Sequence, residues 1–483
     1  MRPGLNKREN KLAKWRMTAI LFLSIYIVVM LYNVYKPLPE NISYESKEYL
    51  VSDGDIDFFY NVTGERNGRK FFKEEIFTRT LEIIDEADKF IVIDYFLFNS
   101  YHEKDKEYPG NVKNITDALL VKKRENPEMP IIFISDEVNS SYNSHNVPEF
   151  EQMKEAGIDV VMTNMDPLRD STPVYSGIYR MLFTWFGDSH NGWLSNAFVE
   201  TAPDMTIRSY LTLFNVKANH RKTLTTEKTT LISSANPHDA SAYFANAAFE
   251  VKGALVNDML KSEKAAADTR RDTSFPKSVP EHQDRGSIRV QLVTEGKVQE
   301  AIRNEIAKTV KGDEIWLAMF YLADRTVVEG LTDAANRGVE VKLILDTNKN
   351  SFGRKKTGLP NVPMASELIE DTDGKVKVRW FVHYPEQFHP KMMYVKQKKE
   401  SVIISGSANH TSRNLNNFNL ETDVKISSAN DSKIMTEVNN YFHMLWGNEG
   451  AVYTADYHKH AEDIAITKRI IYTIQKLLHF TTF

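Results

Sequence analysis

The sequence of 483 residues contains no cysteine, so no disulfide framework can stabilise it. It also lacks a strong charge of either sign, because 61 basic residues face 65 acidic ones and the formal net charge is -4. Such a balance does not favour a polyanionic partner such as nucleic acid, and it argues against a nuclease. The hydrophobic fraction of 42% and the charged fraction of 26% are those of an ordinary globular chain. They exclude wholesale disorder and a polytopic membrane protein.

One hydrophobic run is long enough to span a membrane. Residues 17–35, MTAILFLSIYIVVMLYNVY, are uncharged and can cross a hydrocarbon layer as a helix. Basic residues dominate the segment before this run, and acidic residues follow it. By the positive-inside rule we predict a cytoplasmic basic tail at 1–16, a transmembrane anchor at 17–35 and an extracytoplasmic body. A cleaved signal peptide is the alternative, which the length of the run and the lack of an A-x-A cleavage pattern disfavour.

An exported body without cysteine is typical of bacterial surface enzymes. Sequons for N-glycosylation occur at Asn41 and Asn61, but a third, Asn409-His-Thr, falls inside a motif that a glycan would block. We therefore interpret the sequons as chance matches. The expected location is the cell membrane of a bacterium, with a Gram-positive host as the specific expectation.

The body of the chain contains an internal repeat of two halves. In the first half the helix-like TRTLEIIDEAD leads into the apolar run KFIVIDYFLF and then into PIIFISDE. In the second half VQEAIRNEIAKTVKGD leads into EIWLAMFYLA and then into VEVKLILDTN. Asp136 and Asp346 end corresponding strands, where they either cap loops or lie near a cleft. Helices that alternate with continuous apolar runs predict a parallel or mixed sheet covered on both faces, hence an α/β fold.

The two halves predict the domain boundaries. We place a first lobe at 36–260, a charged linker at 261–287, a second lobe at 288–450 and a C-terminal segment at 451–483. The C-terminal segment has an amphipathic pattern, which predicts a helix that docks onto the body or lies in the bilayer surface.

The first lobe carries an insertion of about 41 residues, because Asp136 lies 84 positions before His220 whereas Asp346 lies only 43 before His389. We place the insertion at about 166–207. It contains VYSGIYRMLFTWFGDSHNGWLSNAF, which is dense in aromatic residues. Such residues pack beneath a long loop or favour a membrane interface, and both interpretations remain open.

A His-x-Lys pair stands at the head of a strand-like run in each half. His220 and Lys222 project from one face of an extended strand, as do His389 and Lys391. Each strand is followed by a turn and a return strand that brings a Ser-Ala-Asn sequence back beside the histidine. These sequences end at Asn236 and Asn409. Two copies at matched places in a repeat predict a site rather than two structural histidines.

The twin motifs resemble those of the phospholipase D superfamily, cardiolipin synthases and bacterial membrane-anchored members above all, over about residues 56–446. The resemblance implies two similar α/β/α lobes whose motifs meet at one cleft. It implies metal-free phosphodiester exchange through a phosphohistidine, with no cofactor. By resemblance His220 is the nucleophile and His389 the general acid, with the reverse assignment open.

The resemblance also assigns the neighbouring polar residues. Lys222, Lys391, Asn236 and Asn409 would hold the non-bridging oxygens of the phosphate. The carboxylates that orient the imidazoles would be Glu250 and Glu421, 30 and 32 residues after their respective histidines. Surface charge at the end of a strand is the alternative interpretation of these two glutamates.

The sequence departs from the family pattern at three positions. The aspartate that follows His-x-Lys in the family is replaced by Glu227 and Lys396, and Ser233 stands where glycine is usual. The family's aspartate supports a turn, so its loss concerns local geometry more than chemistry. These departures keep a catalytically inactive descendant among the alternatives.

The expected function is that of a phospholipase D-type phosphodiesterase or phosphatidyltransferase acting on glycerophospholipids, with cardiolipin synthesis as one form of it. The expected partners are a phospholipid substrate and the membrane, with no nucleic acid. A metal-independent nuclease of the same superfamily and an inactive lipid-binding scaffold are the alternatives. An anchored body meets phospholipid head groups at high local concentration, which favours the lipid enzyme.

Overall fold

The computed structural model describes residues 3–102, 106–185, 190–267, 274–351, 354–383 and 385–461. The chain begins with the long helix α1, Pro3–Tyr35. A stretch of this helix, Lys11–Tyr35, has a mean hydropathy of 2.1 and is long and apolar enough to cross a membrane. The predicted amphipathic pattern near the C-terminus lies outside the described residues.

The first half of the body forms an eight-stranded sheet with helices on both sides. Its elements, with the short β1 that precedes them, are β1 Tyr49–Val51, β2 Ile56–Arg66, β3 Arg69–Lys73, α2 Ile76–Glu86, β4 Ile91–Tyr95, α3 Asn111–Glu125, β5 Ile131–Ser135, α4 Pro148–Glu155, β6 Asp159–Met162, α5 Pro173–Ile178, α6 Ile207–Leu213, β7 Lys222–Thr226, β8 Thr229–Ser233, β9 Asn246–Lys252 and α7 Val256–Ala267. A π-helical turn, Tyr179–Phe183, continues α5.

The second half forms a nine-stranded sheet that includes β1. Its elements are β10 Ile288–Thr294, α8 Gly296–Lys308, β11 Glu314–Met319, α9 Arg325–Asn336, β12 Glu340–Leu345, β13 Asn350–Ser351, β14 Arg354–Lys355, α10 Asn361–Asp371, β15 Lys377–Phe381, β16 Met392–Lys396, β17 Glu400–Gly406, α11 Ser412–Leu415, β18 Thr422–Ala429, α12 Lys433–Gly447, β19 Thr454–Asp456 and α13 His458–Ala461, of which β13 and β14 pair only with each other.

Local sequence accounts for these elements. Every residue of β4 and β5 is buried, as the continuous apolar runs predicted for strands covered on both faces. Helix α9 begins after Asp324, whose carboxylate accepts a hydrogen bond from the Val327 amide at 3.1 Å. The buried residues of α9 recur at helical spacing, so one face packs on the sheet.

The duplication is complete at the level of strand order. The first sheet runs β2-β9-β8-β7-β4-β5-β6, and the second runs β10-β18-β17-β16-β11-β12-β15. In both sheets the last three strands of this order are parallel and the remaining pairs are antiparallel. The predicted fold class, an α/β protein of two similar lobes behind an N-terminal apolar helix, is confirmed.

The lobes share one hydrophobic core. It joins strand residues of the first sheet, such as Phe249, to strand residues of the second, such as Trp316, and to the face of α12 that carries Phe442. The short strand β1 lies within 36–260 but pairs with β10 of the second sheet. The segment around β1, which precedes the first sheet in the chain, therefore links the two lobes.

Candidate active site

The two His-x-Lys motifs lie at equivalent ends of β7 and β16 and face a single cavity of about 490 Å³. The amide of His220 donates to the Leu420 carbonyl at 2.9 Å, and the amide of His389 donates to the Ala245 carbonyl at 2.8 Å. Each histidine is thus bonded through its backbone to the opposite lobe. These two reciprocal contacts fix the motifs on either side of the lobe interface, where both imidazoles line the same cavity.

The side chain of His220 is held by a carboxylate from the second lobe. Its Nδ1 lies 3.0 Å from Oε2 of Glu421, a residue that is fully buried. Ser407 and Asn414 also donate to this carboxylate. Burial alone would raise the pKa of Glu421, but His220 and Lys222 bring it below its usual value, so the group is ionised. The ring of His220 therefore carries its proton on Nδ1 and leaves Nε2 available for the cavity.

The side chain of His389 is held by an amide from the first lobe instead. Its Nδ1 lies 3.0 Å from Oδ1 of Asn246, whose oxygen also accepts from Ser234 at 3.0 Å. The Nε2 atom of His389 contacts the ammonium of Lys391. Burial, with Lys391 and Lys222 adding to the effect, lowers the pKa of His389 well below its usual value, so the imidazole is neutral and its Nε2 carries a lone pair.

Asn246 and Glu421 occupy equivalent positions of the duplicated fold. In the register of the first sheet Ser233 pairs with Ala248, and in the second Gly406 pairs with Asp423. Two residues before these partners stand Asn246 and Glu421 respectively. The fold thus presents one orienting side chain from each lobe, and the two differ in charge.

Glu250 does not reach either histidine, so the structure does not place it in its predicted role. It lies four residues beyond Asn246 on β9, and Arg79 binds it through Nε at 2.8 Å and Nη2 at 3.0 Å. The count of residues after each histidine suggested Glu250, whereas the strand register selects Asn246. The prediction for Glu421 differs in another way, because this residue orients the histidine of the opposite lobe and not that of its own.

Two buried lysines place positive charge next to the histidines. Burial lowers the pKa of Lys222 to about 7 and lowers that of Lys391 well below its usual range. Burial also lowers the pKa of His220 to about 4, against the effect of Glu421. It lowers the pKa of His389 well below its usual value, with Lys391 and Lys222 adding to the effect. These lowered pKa values mean that the nearby carboxylates do not fully stabilise the protonated lysines and histidines. Such a site suits an anionic ligand.

The two asparagines of the Ser-Ala-Asn sequences line the same cavity. Asn236 accepts a hydrogen bond from the Leu97 amide through Oδ1 at 3.3 Å, so its NH₂ group is left for a ligand. The side-chain oxygen of Asn409 is buried without a hydrogen-bond partner among the described residues. The structure therefore brings together His220, Lys222, Asn236, His389, Lys391, Asn409 and Glu421 of the predicted set.

Two further residue pairs support the site, and the sequence analysis assigned them no definite role. Phe96 and Phe320, which follow β4 and β11, lie 5.0 and 5.2 Å from the rings of His220 and His389. The carboxylates of Asp136 and Asp346 accept the backbone N–H immediately before each histidine, at 2.7 and 2.8 Å. Their matched positions at the ends of corresponding strands were the available signal. These aspartates hold the motif loops and do not line this cavity.

The substitutions at the motif's third position lie away from the cavity. Glu227 accepts the backbone amides of Asp88 and Lys89 at 3.0 Å each, so it supports the turn between α2 and β4. Lys396 is 3.8 Å from Glu314 at the same end of the second sheet. Both positions are five residues beyond the motif lysine, or about 16 Å along an extended strand. Their replacement leaves the site geometry intact.

A second cavity of about 410 Å³ adjoins the first. The two share five lining residues, all apolar: Phe96, Leu97, Val138, Phe198 and Phe244. The remaining wall is mixed: it includes Tyr101, Tyr108 and Tyr243 together with polar and charged residues such as Lys106 and Glu107. An anion-binding site that opens into a largely apolar cavity is suited to an amphiphilic ligand.

Comparison with known proteins agrees with this architecture. Residues 302–446 match the family model described as "Cardiolipin synthase, PLD-like domain". Phosphatidylserine synthase from Haemophilus influenzae Rd KW20 has a similar structure, with a TM-score of 0.57 and 12% identity over 93% of this chain and 98% of that chain. Polyphosphate kinase from Porphyromonas gingivalis gives a TM-score of 0.46 and 14% identity over 88% of this chain and 53% of that one. No curated protein matches the sequence significantly. The predicted resemblance is thus confirmed for residues 302–446, which match a PLD-like domain of the cardiolipin synthase family.

Proposed function

We propose that the protein is a phospholipase D-type enzyme that cleaves the phosphodiester of a glycerophospholipid and transfers the phosphatidyl group to water or to an alcohol. The observation that carries the proposal is the meeting of His220 and His389, from different lobes, at one cavity that opens into an apolar one. The family model described as cardiolipin synthase supports a phospholipid as substrate.

In the first step Nε2 of His220 attacks phosphorus. The bond to the leaving alkoxide breaks, and His389 donates a proton to that oxygen. The product is a phosphatidyl group bonded to Nε2, with the ring positively charged and its Nδ1–H facing Glu421. The carboxylate stabilises this cation, which an amide could not do to the same extent. The charge difference between Glu421 and Asn246 therefore favours His220 as the nucleophile.

In the second step water or an alcohol attacks the phosphatidyl group. His389, now neutral, accepts the proton of the incoming hydroxyl, and the bond between phosphorus and Nε2 of His220 breaks. Both histidines return to their starting states, so the cycle needs no other reactant. Water yields phosphatidic acid, and phosphatidylglycerol as the acceptor alcohol yields cardiolipin.

His389 must carry a proton on Nε2 when the substrate is bound, although burial and the two lysines hold its pKa well below the usual value. Binding of the phosphodiester anion favours this protonation, because its negative charge offsets the ammonium groups of Lys222 and Lys391 and raises the pKa of His389. A phosphate oxygen would also attract Lys391 away from Nε2. Asn236 and Asn409 complete the anion site with amide donors. Binding of the substrate therefore prepares the general acid.

A lipid fits the surroundings of the site better than a nucleic acid. The apolar cavity next to the phosphate site has the dimensions and the aromatic lining of an acyl-chain site. The apolar helix α1 would keep the site within reach of membrane lipids. We propose that α1 spans the membrane with residues 1–16 in the cytoplasm, so that the lobes lie on the extracytoplasmic side.

The proposal is tested with the full-length protein in vesicles of labelled phosphatidylglycerol. Chromatography separates phosphatidic acid from cardiolipin, and His220→Ala serves as the inactive control. We expect one of these products in the wild type, at the same rate with and without a metal chelator. Cleavage of oligonucleotides without any lipid product would establish a nuclease instead. Vesicle binding by the wild type and both His→Ala variants, without turnover, would establish a lipid-binding scaffold.

A further inference from the structure

The aromatic insertion carries an exposed apolar stripe beside α1. Along the helical segment formed by α5 and the π-helical turn, the outward positions are Val174, Ile178 and Leu182, and Trp185 follows with 80% of its surface exposed. This spacing puts the four side chains on one side of the segment. Three other positions of the segment are buried: Ser176 and Tyr179 contact Asn215 and Thr212 of the body, and Gly177 lies against α1.

Exposed apolar residues concentrate in this part of the molecule. Outside α1, the described residues include eleven large hydrophobic side chains that are exposed, and seven of them lie between 174 and 214. The remaining four are scattered over both lobes. A clustered apolar surface with tryptophans at its edge is typical of a membrane contact and not of ordinary surface variation.

The insertion also contacts α1 at successive positions, from the C-terminal end of this helix toward its N-terminal end. Lys36 donates to the Asp166 carbonyl, the Asp170 amide donates to the Asn33 carbonyl at 3.0 Å, and the Tyr26 hydroxyl donates to the Val174 carbonyl at 2.8 Å. Tyr26 lies ten residues before Lys36, or about 15 Å along a helix. The stripe thus lies beside the apolar part of α1. It is closer to the N-terminal end of α1 than the polar residues at the C-terminal end of this helix are.

Close backbone contact fixes this arrangement. A β-carbon added to Gly177 would lie 2.8 Å from the ring of Tyr26 and 3.4 Å from Cβ of Met30. On the other side of the segment, Arg180 and Lys217 bind the buried Asp170 at 2.7 Å each. Lys217 lines the catalytic cavity, and so do Leu213 and Val216 next to α6. The apolar surface and the mouth of the site therefore belong to one rigid region.

We propose that the segment 173–185 lies within the bilayer leaflet nearest the lobes, with Val174, Ile178, Leu182 and Trp185 among the acyl chains. This inference rests on the proposed membrane-spanning role of α1. A segment embedded there places the catalytic cavity at the lipid surface, so a phospholipid enters the site without leaving the membrane. The occupant of the apolar surface is the bilayer and not a second protein.

The absence of native cysteine makes a direct depth measurement possible. Nitroxide labels are placed on Ile178→Cys and Leu182→Cys in the full-length protein, reconstituted in phosphatidylglycerol and phosphatidylcholine vesicles. Collisions with oxygen and with a water-soluble nickel complex are measured by electron paramagnetic resonance. The matched control is Val310→Cys, which is 62% exposed at the opposite end of the second sheet. We expect high oxygen and low nickel accessibility at 178 and 182, and the reverse at 310.

Nickel accessibility at 178 and 182 equal to that at 310 would contradict the proposal, as would labels inaccessible to both reagents, which would mean that protein covers the stripe. A second readout uses the double variant Ile178→Ser, Leu182→Ser. We expect turnover of vesicle lipid to fall about tenfold while hydrolysis of a water-soluble phosphodiester is unchanged. If wild type turns over neither substrate, the proposed function fails, and the depth measurement still decides the membrane contact.

Discussion

Glu421 and Asn246 occupy equivalent positions of the two lobes, and each binds Nδ1 of the histidine that the opposite lobe provides, at 3.0 Å. Each half also supplies a serine, a phenylalanine and an aspartate at matched places. A duplicated fold with two identical half-sites would leave the roles of its histidines undefined. The difference in charge between Glu421 and Asn246 separates them.

Glu421→Gln should slow formation of the phosphohistidine about 100-fold or more, because the charged ring of His220 loses its counter-ion. The measurement is the pre-steady-state release of p-nitrophenol from a p-nitrophenyl phosphodiester. Ser407→Ala is the matched control, since it removes a neutral donor to the same carboxylate. A rate for Glu421→Gln within threefold of the wild type would remove the carboxylate from the mechanism.

Asn246→Asp should raise the pKa of His389, because a carboxylate next to Nδ1 stabilises the imidazolium form. The general acid then stays protonated to higher pH, so the alkaline limb of the pH–rate profile moves upward by about 1–2 units. Asn246→Ala adds no charge and should leave that limb in place or move it downward. An unshifted limb in Asn246→Asp would show that His389 is not the acid.

Filling the apolar cavity should reduce the turnover of long-chain lipids but not that of short phosphodiesters. Ala240 is partly exposed on its wall, and Ala240→Trp would occupy much of the space for an acyl chain. We expect long-chain phosphatidylglycerol turnover to fall at least tenfold while a short, water-soluble phosphodiester is hydrolysed normally. Equal losses on both substrates would mean that the substitution disturbs the catalytic residues, and no loss on either would mean that the cavity holds no acyl chain.

The protein should lose stability as the pH falls from about 6.5 toward 4. Burial lowers the pKa of His410 to about 3 and that of His238 to about 4, so the folded state holds these rings neutral while the unfolded chain takes up protons. His410→Gln should reduce the loss by about 3 kcal/mol at pH 4. Chemical denaturation at pH 7 and pH 4 measures this difference, and an equal loss in variant and wild type would contradict it.

The sequence predicted the duplication and the α/β class, and the structure brings seven of the eight proposed site residues together. Matched motifs at corresponding places of a repeat made this possible, because their positions in the fold are equivalent. The sequence did not predict which residue orients each histidine. That depends on how β9 and β18 cross the lobe interface, and the count of residues after each histidine gives no measure of it. Glu250 was selected because it is a carboxylate at the expected distance in sequence, yet the register places it beside Arg79. The neutral Asn246 gave no signal at all.

The central claim is that His220 and His389 act on one phosphodiester, with His220 as the nucleophile. It is tested most directly by mixing the His389→Ala variant with a p-nitrophenyl phosphodiester, whose leaving group needs no general acid, and mapping the adduct by mass spectrometry. Without His389 to activate water, the account predicts that an acid-labile phosphoryl adduct accumulates on His220 and is absent from His220→Ala. An adduct on His389 in the His220→Ala variant, with none on His220 in the first, would contradict it.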